Sequence, residues 1–139
     1  MMGAGQPPLF IPIDPAAEAN EMANTYYALS AKADECRLTL PEDADPAVVA
    51  ALREKANALD DLAHRCTADA LGATLRAVQP DLARIKRTTK QAQDQLCRLN
   101  DVADAIAILS SAVDLGEAFV TGSPEGVLTA ANTLATSLA

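Results

Sequence analysis

The stretch DPAAEANEMANTYYALSAKADECRLTL, residues 14–40, opens with a capping acid set directly before a proline and continues with apolar residues at alternating steps of three and four. The Asp14 carboxylate can accept from the orphan N–H groups of a first helical turn. Pro15 at the first helical position forfeits nothing, because its missing N–H had no partner there. Ala19, Met22, Tyr26, Leu29, Ala33, Cys36 and Leu40 then share one face, a heptad seam turned toward a neighbouring helix. The stretch predicts a helix from Pro15 to about Leu38. The same punctuation recurs at Asp45-Pro46 and Ser123-Pro124, and no comparable strand signal accompanies it. The chain therefore reads as all-α.

From Pro46 the spacing runs on through Val49, Leu52, Ala56, Leu59, Ala63, Cys66, Ala70, Ala73 and Ala77, and a second row of Leu62, Leu71, Leu75 and Val78 widens the stripe. A helix apolar over that width touches two neighbours, as in a bundle. Gly72 is its weak point, costing ~1 kcal/mol relative to Ala. Val78-Gln79-Pro80-Asp81 reads as a tight turn with Pro80 opening the next helix, since an interior proline costs ~3 kcal/mol. The apolar row 71, 75, 78, 82, 85 passes through the proline unbroken, which leaves one kinked helix as the alternative. The third long helix carries Leu82, Ile85, Thr89, Ala92, Leu96, Leu99, Ala103, Ile106 and Val113 and stops at Gly122. A short last helix runs from Pro124 to Leu138.

Residues 1–13, MMGAGQPPLFIPI, carry prolines at 7, 8 and 12 and read as an extended arm. Leu9, Phe10 and Ile11 make that arm adhesive, either across its own helices or as a docking strap for a partner. The expected architecture is an arm over 1–13 and a single helical-bundle domain over 14–139: an antiparallel bundle or long helical hairpin with a short C-terminal helix.

Half of the 139 residues are hydrophobic, but thirty of them are alanine and only four residues are aromatic. A core of small side chains lets backbones approach closely and gains little area per residue at roughly 25 cal/mol per Å². Long helix contacts, or association between chains, would supply the rest. The three cysteines, Cys36, Cys66 and Cys97, form an odd set without C-x-x-C spacing, which points to structural thiols in a reducing, cytoplasmic setting. The N-terminus lacks the basic start and apolar run of a signal peptide. No stretch reaches the ~18 apolar residues of a membrane span.

The net charge of −8 is unevenly spread. Residues 1–52 carry net −6, residues 76–98 net +4, and residues 99–139 hold five acids and no base. A basic helix set between acidic ones suits ion pairing within the chain. An acidic protein without aromatics beside its basic segment is a poor nucleic-acid binder.

No phosphate loop, dinucleotide fingerprint, nucleophile elbow or zinc-protease motif is present in the sequence. An enzyme would have to centre on the one histidine, His64, with Asp60 or Asp61, and that pair reads as a solvated helix face. Four zinc ligands from His64 and the cysteines lack any supporting spacing. No cofactor, metal or small-molecule substrate is evident. Residues 102–139 instead combine sparse charge with small residues; Ala112 and Gly116, four apart, permit close helix contact. The expected function is a non-enzymatic protein-interaction module, an adaptor, chaperone-like or structural component, acting through apolar helix faces and self-associating. Its expected partner-binding residues are Leu9, Phe10, Ile11, Ile106, Leu109, Val113, Phe119 and Leu128, facing a protein partner or a second copy. The alternative is a membrane-active protein inserting its 102–139 hairpin.

Overall fold

A computed structural model of the chain describes residues 13–96 and 102–138. They form six helices: α1 (Pro15–Leu38), α2 (Pro46–Arg65), α3 (Ala68–Ala77), α4 (Gln79–Leu96), α5 (Val102–Thr121) and α6 (Pro124–Leu138). Helix accounts for 88 % of the described residues, and none of them is in a strand. All three proline-marked starts open helices. Asp14 Oδ1 accepts from the Ala16 and Ala17 N–H groups at 3.0 and 3.3 Å. Asp45 Oδ1 accepts from Ala47 at 2.9 Å, and Ser123 Oγ from Gly126 at 3.0 Å. Gly122, at φ +79, closes α5. The Ser123 N–H reaches Ala118 O at 3.0 Å and the Gly122 N–H reaches Phe119 O at 3.3 Å, the paired bonds by which a left-handed residue satisfies a helix's last carbonyls.

The segment read as one helix from Pro46 to Ala77 is two. The chain leaves helical geometry at Cys66 (φ −78, ψ 88), and Thr67 is extended, its hydroxyl accepting from the Ala70 N–H at 3.1 Å to start α3. Gly72, expected to be the weak point, lies buried inside α3. The break resets the helical phase. Ala70, Ala73 and Ala77, which continue the α2 seam by count, are exposed, while Leu71, Leu75 and Val78 are buried. Leucines bury more apolar area than alanines, so the phase that seats Leu71 and Leu75 is the stable one.

At Pro80 the helix is interrupted for one residue, Val78, and resumes at Gln79; the Asp81 N–H bonds Val78 O at 2.8 Å. Pro80 thus occupies the first turn of α4, where it needs no donor. The row 71, 75, 78, 82, 85 is buried throughout despite the interruption. The stretch read as the third long helix is described as α4 to Leu96 and α5 from Val102, with Leu99 outside the described residues; α1 and the short last helix α6 keep the bounds read for them.

One apolar cluster draws on all six helices. α1 packs along α2 and α5 along α6; α2 against α5 joins those pairs, and α4 lies against α6 and α1. The joint between α1 and α5 uses the small residues marked in the sequence. The Tyr26 hydroxyl donates to Ala112 O at 2.8 Å, and its ring stands 3.1 Å from where a Cβ on Gly116 would be. At the other side, Arg84 Nη1 donates to Asn132 Oδ1 and Gln95 Nε2 to Leu138 O, both at 2.9 Å, tying α4 to α6.

Candidate binding cleft

Between α1 and α4 lies a cleft of about 310 Å³. Met22 on α1 and Leu82 and Ile85 on α4 form its apolar walls, and Leu75 from α3 with Leu115 and Phe119 from α5 form its floor. The walls follow from helical spacing, because residues three and four apart stand above one another on one face. Each hydroxyl lining the cleft donates its proton within the protein. Thr25 Oγ1 donates to Glu21 O and Thr89 Oγ1 to Lys86 O, at 3.0 and 2.9 Å. Tyr26 spends its hydroxyl on Ala112 O, and burial pushes its phenol well above the ordinary tyrosine range.

Charge gathers at the mouth. Lys86 Nζ reaches across from α4 to Glu18 Oε1 at 2.8 Å and Glu21 Oε2 at 3.1 Å on α1. The hydrogen bond to Glu18, foremost, and that to Glu21 hold the Lys86 ammonium above the usual lysine range, against the opposing effect of partial burial. Lys90, one turn further along α4, also lines the cleft; it is exposed and makes no ion pair or hydrogen bond among the described residues.

The residues expected to bind a partner are distributed differently. Leu109 and Phe119 are 0 % exposed, covered by the chain's own helices. Ile106, Val113 and Leu128 are half-buried and pack against the core from its edge. Leu9, Phe10 and Ile11 lie outside the described residues, as does Cys97. Cys36 and Cys66 are not joined in a disulfide; Cys66 is buried and Cys36 half-buried. His64 is exposed, with Nδ1 2.8 Å from Asp60 O of its own helix and 3.7 Å from Asp60 Oδ2, and its ring meets Tyr27 edge-on. That is the solvated face read from the sequence. Among the described residues no cluster of His, Cys, Asp or Glu could hold a metal, and no helix is long and apolar enough to cross a membrane.

Sequence reasoning missed the cleft. Its signals were local pairs, Glu18 with Glu21 and Lys86 with Lys90, each on one helix face. Nothing in the linear order says that the two faces oppose each other across 68 residues. Comparison of the chain with protein-family models, curated proteins and solved structures finds no match.

Proposed function

We propose that this chain is a non-enzymatic helical interaction module, its helices arranged as a largely antiparallel bundle, which takes the apolar part of a small molecule into the α1–α4 cleft. The observation that carries this reading is the apolar lining of the cleft, with Met22, Leu82 and Ile85 as walls and Leu75, Leu115 and Phe119 as floor. Covering that apolar lining with hydrocarbon removes it from water, which is favourable. A volume of about 310 Å³ sits at the lower end of small-molecule sites. At the mouth, Glu18, Glu21 and Lys86 are engaged with one another, an arrangement suited to framing a ligand rather than to proton transfer. Nile red, a neutral apolar dye, should bind with enhanced emission. Ala28→Trp, which puts an indole into the cleft from a half-buried wall position, should remove that binding while the circular dichroism stays helical. Emission unchanged in both Ala28→Trp and Met22→Trp would reject the site.

A second reading rests on the edge of α5. Ile106, Val113 and Val120 recur there at seven-residue spacing, each half-buried, the pattern of a seam for another helix. With Leu128 on α6, that row supports association with a second copy of the chain. The double change Ile106→Glu and Val113→Glu should lower the mass measured by light scattering; a monomer before and after the change rules this reading out.

A further inference from the structure

We infer that the ligand of the α1–α4 cleft is an amphipathic acid, with its hydrocarbon between Met22, Leu82, Ile85 and the Leu75–Phe119 floor and its carboxylate at Lys90. This inference rests on the cleft being a ligand site. Its volume equals that of about ten liquid water molecules at ~30 Å³ each, the bulk of a medium-chain hydrocarbon rather than of a helix. The polar end belongs at the mouth, where the charged side chains gather, because the walls and floor are apolar. There the charges are not equivalent. Glu18 and Glu21 hold one ammonium, Lys86, between them, with contacts of 2.8 and 3.1 Å. Lys90 holds none among the described residues, and it stands on the same face of α4 one turn beyond Lys86. A carboxylate placed at Lys90 gains a partner without breaking the bridge from α4 to α1. An ammonium head would find both carboxylates engaged and Lys90 repelling it, and a hydroxyl head would gain no ion pair.

Three probes with the same eight-carbon chain separate these cases: octanoate, octan-1-ol and octyltrimethylammonium, each competing with Nile red on the full chain at low ionic strength. An exposed ion pair contributes up to ~1 kcal/mol, which is about fivefold in affinity. Octanoate should therefore outcompete octan-1-ol by about that factor, and octyltrimethylammonium should be weakest. Lys90→Gln should erase the advantage of octanoate over octan-1-ol, a ratio read within that variant, and added salt should shrink the advantage in the wild type. Equal competition by octanoate and octan-1-ol, preference for the cation, or an octanoate advantage that survives Lys90→Gln overturns the assignment of an acid and leaves the cleft itself standing. Failure of Nile red and all three probes to bind removes both the acid and the cleft.

Discussion

Gly116 and Gly72 both sit inside helices, and the same substitution should move stability in opposite directions. A helical glycine ordinarily costs about 1 kcal/mol relative to alanine. At Gly72 an added Cβ meets nothing closer than 3.6 Å, so Gly72→Ala should raise the melting temperature by up to the equivalent of that amount. At Gly116 the same Cβ lands 2.8 Å from Leu62 Cδ1 and 3.1 Å from the Tyr26 ring. Leu62 is fully buried, and Tyr26 is pinned by its bond to Ala112, so neither moves away cheaply. Overpacking of this kind costs ~1–3 kcal/mol, and Gly116→Ala should melt earlier than wild type. Cys66 gives a second test at this scale. Burial, foremost, pushes its thiol up to about 11, with Arg65 pulling the other way. An unfolded chain ionises near the ordinary 9.0, so between these values the unfolded state binds fewer protons than the native one. The contribution is whole below pH 9 and is lost as the pH rises through 11, of order 2 kcal/mol in all. Melts from pH 8 to 11 should fall more steeply for wild type than for Cys66→Ala; parallel declines would show that the thiol is not responsible. The buried Tyr26 phenol, raised the same way, adds to the fall in both proteins.

At the level of the helix, starts were more legible than stops. Asp14, Asp45 and Ser123 each precede a proline, and a cap plus a missing donor is a purely local event that survives any tertiary arrangement. The break at Cys66–Thr67 contains neither proline nor glycine. Its trace was a change of phase, from a seam ending at Cys66 to leucines at 71 and 75, and an alanine-rich sequence hides such a shift because alanine fits either face. What decides between the phases is which leucines are buried, and that depends on the neighbouring helices. Thr67 then caps α3 through a 3.1 Å bond to the Ala70 N–H. Thr67→Ala should cost about 1 kcal/mol, read as a lower urea midpoint, whereas Thr133→Ala, an exposed hydroxyl bonded back to its own helix, should change little. The cleft left only the charged pairs on α1 and α4 as a local trace, and nothing local to join them, since its walls come from α1 and α4 and its floor from α3 and α5.

Across the whole molecule, the uneven charge map resolves into a few specific bridges rather than a general complementarity. Lys86 joins α4 to α1, and Arg65 on α2 reaches both Asp61 and Glu117 of α5 at 3.4 and 3.7 Å. Arg87, next to Lys86 in sequence, is exposed and makes no ion pair among the described residues. Reversing the two should therefore have unequal effects. Lys86→Glu sets a third carboxylate beside Glu18 and Glu21 and should lower the melting temperature by an amount of order 1 kcal/mol at low salt, with the loss shrinking as salt screens the repulsion. Arg87→Glu should lie within experimental scatter of the wild type. Equal losses for the two would mean that the basic segment acts through its net charge and not through the bridge.

The neighbouring tyrosines of α1 have a further consequence. The chain has no tryptophan, so its ultraviolet emission comes from two phenols only. The helix turns them to unlike places: Tyr26 is 1 % exposed and bonded to a carbonyl of α5, while Tyr27 is 40 % exposed beside the His64 ring. Tyr27→Phe leaves a single fluorophore sealed where α1 meets α5. Its spectrum then records the closing of that one joint during folding, so the protein carries its own optical gauge and needs no attached dye.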